Sequence, residues 1–264
     1  MGCRDEIMTS PPAILIIAAS DSSGGAGLAR DLRVAADCGV TAGVALTAVT
    51  VQSDRRVHAV HPVPTDVVRA QIAAVLETRD VRAIKVGMLA TRAVVEAVIE
   101  SLPLRERVAI VLDPVLESSS GYALLDEDGR AALRTKLCKQ VTVITPNIPE
   151  AAILLNEQPA WDEATQIEQA RRLQRLGVSA VLLKGGHAEG TESVDLLVEG
   201  GKPTVRFIAP RVAANMRGTG CALSSAIAAA LARGMSLEAA CGFAKCYVTK
   251  QLETSARPEW HLDR

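Results

Sequence analysis

Short apolar runs alternate with amphipathic stretches along most of this 264-residue chain. Six apolar runs are rich in β-branched residues and lack strict polar alternation; they cover residues 13–19, 42–51, 83–88, 108–114, 141–145 and 180–184. Such runs are typical of strands buried on both faces of a parallel sheet. Helical patterns separate or follow them, at 26–38, 66–78, 91–101, 127–137, 163–176, 219–232 and 236–251. The alternation predicts an α/β fold with helices on both faces of a central, mostly parallel sheet.

Two further apolar runs predict a small hairpin at one edge of this sheet. They cover 194–200 and 204–209 and flank a Gly-Gly-Lys-Pro turn. The chain contains no internal repeat, low-complexity segment or linker. We therefore expect a single domain over 13–251, with loose termini at 1–12 and 252–264.

Composition excludes several classes of partner. The chain carries 29 Lys+Arg and 30 Asp+Glu, so no global field attracts nucleic acid or an anionic membrane. Aromatic residues make up only 2% of the sequence, which removes the usual base-stacking platforms.

No segment approaches the roughly 20 apolar residues that span a bilayer, and the run at 13–19 is too short for a signal peptide. The six cysteines form no CxxC pair. We expect a reduced, cytoplasmic protein with neither nucleic-acid nor membrane partners.

The most informative segment is Arg-Gly-Thr-Gly-Cys at 217–221, which precedes a helical pattern of small residues. Gly218, Thr219 and Gly220 can present backbone N–H groups at the positive end of a helix, as a cradle for phosphate or an oxyanion. Cys221 falls in the first turn, where a thiol pKa is lowered and the sulfur can accept a proton. A small buried cysteine is the alternative interpretation, but the glycine-rich context favours a catalytic role.

A second glycine-rich segment follows the first predicted strand, at 20–27. It matches neither the dinucleotide-binding pattern GxGxxG nor the Walker A loop. It is either a ligand-binding turn at a helix N-terminus or simply a tight turn. If it is a site, Asp31 in the following helical pattern points toward it.

Polar residues at three other strand ends suit a metal–polyphosphate substrate. Asn147 and Glu150 follow the strand at 141–145, Lys184 and Gly186 lie at the end of 180–184, and Asp113 ends 108–114. Lysine neutralises phosphate charge, while carboxylate and amide oxygens position Mg²⁺ or its waters. Asn147 and Glu150 fit a helix capping box equally well. Together with the glycine-rich cradle, these residues indicate phosphoryl transfer.

The order of these segments resembles a known family. ASDSSGGAGLARDL, VGML, LDPVL, TPNIPEA, LLKGGH and RGTGC occur in the order found in the hydroxymethylpyrimidine/phosphomethylpyrimidine kinases of thiamine biosynthesis, within the ribokinase-like superfamily. The resemblance covers roughly residues 13–248. Cys221 is its most specific position, because related sugar kinases carry Asp there. It implies a three-layer α/β/α fold, ATP and Mg²⁺ as cosubstrate and cofactor, and a homodimer.

The resemblance also implies roles for individual residues. Cys221 would be the general base, and the amides of Gly218, Thr219, Gly220 and Cys221 would hold the transferring phosphoryl group. ATP would contact Lys184, Asn147, Gly186 and Asp113, and Mg²⁺ would bind at Glu150. The pyrimidine pocket would comprise Ala19, Asp31, Gln52, Met88 and Val115.

Some positions depart from the family pattern. Ala19 and Ser22 replace Gly and Pro, Met216-Arg217 replaces Thr-His, and the Gly-rich C-terminal segment is missing. Arg217 is either an additional phosphate clamp or a loop residue facing solvent. The resemblance implies that the substrate is the pyrimidine alcohol, its monophosphate or both. The alternatives are a pyridoxal/pyridoxine kinase and a non-catalytic pyrimidine-binding or regulatory protein.

Overall fold

A computed structural model describes residues 11–118, 120–186, 190–214 and 216–256. Within them, nine strands form one sheet: Ala13–Asp21 (β1), Thr41–Gln52 (β2), Val57–Pro62 (β3), Val81–Val86 (β4), Ala109–Leu112 (β5), Val143–Ile144 (β6), Ala180–Leu183 (β7), Glu192–Glu199 (β8) and Val205–Pro210 (β9). Their spatial order is β3-β2-β1-β4-β5-β6-β7-β8-β9. The six central strands, β2, β1, β4, β5, β6 and β7, pair in parallel. The edge strands β3, β8 and β9 pair antiparallel with their neighbours. The predicted parallel sheet and edge hairpin are confirmed.

The helices of the described residues cover both faces of the sheet. They are Gly27–Asp37 (α1), Thr65–Thr78 (α2), Arg92–Ser101 (α3), Glu127–Thr135 (α4), Ile148–Leu155 (α5), Glu163–Gln174 (α6), Thr219–Ala232 (α7) and Leu237–Ser255 (α8), with a 3₁₀ turn at Leu137–Gln140. Side-chain caps begin several of them; Asn147, for example, accepts the Glu150 amide at the start of α5.

Side-chain alternation along the central strands divides the core into two layers. In β1, Leu15 and Ile17 belong to the core layer that includes residues of α2 to α6, whereas Ile14 and Ile16 belong to the layer with α1, α7 and α8. These side chains are fully buried, in agreement with strands covered on both faces. The parallel strands therefore end together at one edge, above which connecting loops gather.

The fold differs from the sequence prediction in two elements. The strand β3 is absent from the prediction because VHAVHP is short and partly exposed at the sheet edge. The helix α5 is absent from the predicted helices, although its capping box was one interpretation of Asn147 and Glu150, because its eight-residue apolar run has no clear period.

The predicted termini need one correction. The helix α8 continues to Ser255, so residues 252–255 are helical rather than loose. The rest of the predicted termini lies largely outside the described residues. Over the described residues, no helix combines the length and apolar character needed to cross a membrane.

Candidate active site

A cavity of about 1070 Å³ lies over the carboxyl ends of the parallel strands. Its walls come from the ends of β1 and β2, the segments after β4 to β7, and the start of α7. This is the edge at which ligands bind in open α/β sheets. With the exception of Asp31, the predicted site residues all line it: Ala19, Gln52, Met88, Asp113, Val115, Asn147, Glu150, Lys184, Gly186, Gly218, Thr219, Gly220 and Cys221.

The start of α7 forms one wall of the cavity. Gly218 caps the helix in a left-handed conformation at φ 72°, and Cys221 lies in the first turn. A side chain at Gly218 would collide with the Gly25 carbonyl oxygen in the β1–α1 loop. Only glycine therefore combines this backbone angle with this close approach. The first N–H groups of a helix have no intrahelical acceptor, so those of α7 are available to an anion.

Three charged side chains meet beside this helix start. The Lys184 Nζ lies 2.9 Å from the Asp113 Oδ1 and 3.7 Å from the Glu150 Oε2. A Cβ placed at Gly220 would be 3.0 Å from the Lys184 Nζ, so the lysine ammonium lies next to the backbone at the start of α7. Burial alone would raise the pKa of Asp113, but Lys184 and Lys85 hold it below its usual range.

Glu150 carries less compensation for its burial. Burial raises its pKa to about 7, although the Lys184 ammonium acts in the opposite direction. Glu150 also forms the α5 capping box, since its Oε2 accepts the Asn147 amide at 2.7 Å. The capping and site interpretations of Asn147 and Glu150 are thus compatible. The carboxyl groups of Asp113 and Glu150 thus share the Lys184 ammonium.

The pKa of the Cys221 thiol differs from the sequence prediction. A position in the first turn of a helix predicted a lowered pKa, but burial raises the pKa of Cys221 to about 12. The Lys85 ammonium and the Gly27 amide act in the opposite direction without outweighing burial. Desolvation therefore dominates over the helix dipole at this thiol.

A mostly apolar pocket lies at the other end of the cavity. Ala19 and Met88 are buried in a cluster with Ala48, and Val115 packs against it. Gln52 lies at the rim, where its Oε1 is 3.3 Å from the Thr50 hydroxyl. These residues give this part of the cavity an apolar wall, the apolar slot, with the Gln52 carboxamide beside it.

Asp31 does not line this pocket. Its side chain is fully buried below the cavity, where its Oδ2 lies 2.7 Å from the Lys85 Nζ and its Oδ1 accepts the Ser225 hydroxyl at 2.8 Å. Lys85 does line the cavity, yet the sequence analysis did not single it out. A lysine in the middle of an apolar, doubly covered strand was the signal that could have identified it.

Arg217 connects two loops at the pocket rim. Its guanidinium forms an ion pair with Asp21 at 3.2 Å, donates to the Ser23 hydroxyl at 2.6 Å and lies 3.5 Å from the Asp54 carboxylate. Asp21 and Ser23 belong to the β1–α1 segment, and Asp54 to the β2–β3 turn. Arg217 thus lies in a pocket-rim network rather than in open solvent.

Replacing Arg217 by glutamine is expected to raise the KM for the small substrate about 10-fold, while kcat changes only a few-fold. The variant loses a charge-assisted contact worth about 1.5–3 kcal/mol before solvent screening, which leaves the rim loops less ordered. Steady-state kinetics on the small substrate measure the effect. Asp54→Asn is the matched control, because Asp54 is 86% exposed and contributes little. An unchanged KM in Arg217→Gln would contradict the role of this network.

Comparisons with known proteins place the chain in a family. The family model described as phosphomethylpyrimidine kinase matches residues 21–261. A hydroxymethylpyrimidine/phosphomethylpyrimidine kinase of Rhizobium meliloti is 42% identical over 246 residues, which are 93% of this chain and 92% of that protein. The solved phosphomethylpyrimidine kinase of Clostridium difficile 630 has a TM-score of 0.78 at 33% identity, covering 91% of this chain and 99% of that one.

A further solved structure is a pyridoxal kinase from Staphylococcus aureus in complex with AMP-PCP and pyridoxal. It has a TM-score of 0.80 at 29% identity and covers 91% of this chain and 87% of that one. Together, these findings confirm the predicted family, the ribokinase-like α/β fold and the phosphotransferase class. The chain belongs to the phosphomethylpyrimidine kinase family.

Proposed function

We propose that this chain transfers the γ-phosphoryl group of ATP to 4-amino-5-hydroxymethyl-2-methylpyrimidine, to its monophosphate, or to both, in thiamine biosynthesis. The observation that carries the proposal is the meeting of Lys184 with the glycine-rich start of α7, beside Cys221, in one cavity. An ammonium and helix N–H groups stabilise the charge that develops on a transferring phosphoryl group. The thiolate form of Cys221, next to them, can take the proton of an attacking hydroxyl.

Each group at the start of α7 has its own role in the proposed transfer. The amides at Thr219, Gly220 and Cys221 hold the phosphoryl oxygens, and Lys184 binds the polyphosphate beside them. The Cys221 sulfur accepts the hydroxyl proton while the substrate oxygen attacks phosphorus. Phosphoryl transfer needs little more than this positioning and charge stabilisation.

The cluster around Glu150 supports an Mg²⁺ ion bound with the nucleotide. The carboxyl groups of Asp113 and Glu150 both lie beside the Lys184 ammonium, and burial raises the pKa of Glu150 to about 7. Hard oxygen ligands of this kind suit Mg²⁺. When bound, the ion would supply positive charge that neutralises the polyphosphate. Glu150 would hold it, and Asn147 and Asp113 would lie alongside the nucleotide.

The apolar slot supports a small heteroaromatic substrate. Met88 and Val115 offer apolar surface, and the Gln52 amide offers one donor face and one acceptor to a ring nitrogen and an exocyclic amine. Ala19, which is 3% exposed at the end of β1, adds a methyl group to the slot. Shape and one carboxamide would therefore orient the ring without an aromatic stacking partner.

A pyridoxal/pyridoxine kinase is the second candidate. It is favoured by the structural likeness to the S. aureus pyridoxal kinase, whose complex contains both AMP-PCP and pyridoxal. A non-catalytic pyrimidine-binding or regulatory protein is the third. Ligand binding alone does not call for Lys184, Glu150 and Cys221 in one cavity, which favours catalysis.

A coupled ADP-release assay separates these candidates. We expect ATP-dependent turnover with the pyrimidine alcohol or its monophosphate, at a kcat/KM at least 10-fold above that for pyridoxal and pyridoxine. A clear preference for pyridoxal would establish the second candidate instead. Binding of the pyrimidine by calorimetry without any ADP formation would establish the third.

The remaining expectations concern assembly and location. We propose a homodimer, supported by exposed apolar side chains on β2 and α1, namely Leu32, Val44, Val49 and Val51. We also propose a cytoplasmic location, supported by the described cysteines, all of which are unpaired.

A further inference from the structure

A fully buried ion pair lies directly beneath the active-site cavity. The Lys85 Nζ and the Asp31 Oδ2 are 2.7 Å apart, and both side chains are 0% exposed. The second oxygen of Asp31 accepts the hydroxyl of Ser225, which lies one helical turn after Cys221 in α7. Replacing such a pair by apolar residues is often neutral or stabilising, so stability alone does not explain its presence.

The placement of Lys85 follows from its strand. Ala83 of β4 packs in the layer of α1 and α7, and alternation points Lys85 to the same face. Its ammonium lies toward the carboxyl edge of the sheet, next to Gly87: a Cβ at Gly87 would be only 2.6 Å from the Lys85 Nζ. Lys85 therefore lines the floor of the cavity together with Ala18 and Cys221.

Charged groups from four elements face the Cys221 thiol. Lys85 of β4 favours the thiolate, whereas Asp31 of α1 and Asp113 after β5 oppose it. Lys184, after β7, also interacts with this sulfur. The position of Lys85 agrees with this: Lys85 and Cys221 line the same cavity, and the Asp31 partner of Lys85 accepts from Ser225, one turn after Cys221.

We propose that Lys85 is a positioning residue for phosphoryl transfer: its ammonium, held by Asp31 and Ser225, stabilises the negative charge of the Cys221 thiolate. The inference rests on the proposed base role of Cys221. In the step, the substrate O–H bond breaks and its proton bonds to the sulfur. The oxygen bonds to the γ-phosphorus, and ADP leaves with the electron pair of the broken P–O bond. Lys85 transfers no proton itself.

The test measures the alkylation rate of the Cys221 thiol in the folded, full-length protein. Iodoacetamide alkylation of Cys221 is followed by peptide mass spectrometry between pH 6 and pH 10 in three proteins: the wild type, the double variant Lys85→Met/Asp31→Asn and the single variant Asp31→Asn. The double variant removes the cation without leaving an unpaired buried carboxylate. Exposed Cys246 serves as the internal control for reagent reactivity.

We expect the double variant to alkylate Cys221 at least 10-fold more slowly at pH 8, and Asp31→Asn to alkylate it faster than wild type. A purely structural role would move both variants in the same direction, and that result would overturn the proposal, as would wild-type rates in the double variant. If the double variant does not fold, the sign of the Asp31→Asn change decides. This readout does not depend on turnover, so it stays separate from a failure of the kinase assignment.

Discussion

Cys221→Ala is expected to lower kcat by about 10²–10⁴-fold, the usual contribution of a general base. The thiol lies in the first turn of α7, next to the amides that would hold the phosphoryl group. Without it, the proposed proton acceptor is missing when the substrate oxygen attacks phosphorus. The KM for ATP should change only a few-fold, because Lys184 and the backbone amides are untouched. Steady-state ADP release with the pyrimidine alcohol measures both constants.

Two further variants make this result specific. Cys246→Ala removes an exposed thiol from α8 and should leave kcat unchanged. Cys221→Asp should recover part of the lost rate, because a carboxylate can also accept the proton. Full turnover in Cys221→Ala would remove the base role from this residue, while the family assignment would stand.

Gly218→Ala is expected to lower kcat/KM by at least about 100-fold. A Cβ at this position collides with the Gly25 carbonyl oxygen and lies 3.0 Å from the Ala26 Cα. The start of α7 must then move away from the β1–α1 loop, which displaces the amides that face the phosphoryl group. A displacement of about 1 Å in such a site can cost about 100-fold in rate. The ADP-release assay measures it.

Gly234→Ala at the opposite end of α7 is the matched control. Gly234 also has a positive φ, at 85°, but no atom lies within 4 Å of its hypothetical Cβ. Both variants share the backbone strain, about 1–2 kcal/mol, and should lower Tm similarly on that account. Only Gly218→Ala should lose activity. Equal activity in the two variants would show that the close approach to Gly25 is not required.

The sheet was predictable because its signal is local. Strands such as β1 and β4 are buried on both faces by any helix layers that cover them, so their apolar runs are visible in the sequence. The strand β3 was not predicted for the opposite reason. It is short and partly exposed at the sheet edge, and its pairing with β2 depends on the fold rather than on its own residues.

The candidate site divides in the same way. The glycine-rich start of α7, Lys184 and Glu150 follow predicted strands or begin a predicted helix, and parallel strand ends meet at one edge. The protonation of Cys221 was mispredicted, because helix position is a local property whereas burial depends on everything packed around the thiol.

By itself, the sequence determined the α/β layering, the order of the strand-end segments and, through them, the family. Only the tertiary structure decided that Asp31 lies below the pocket, that Lys85 is its partner and that Arg217 joins two rim loops. These are pairings between residues 54 to 196 positions apart along the chain. Apolar periodicity indicates which face of an element is buried, but it does not indicate which charged side chains pair with each other. That choice is made only when the packed layers bring distant side chains together and exclude water between them.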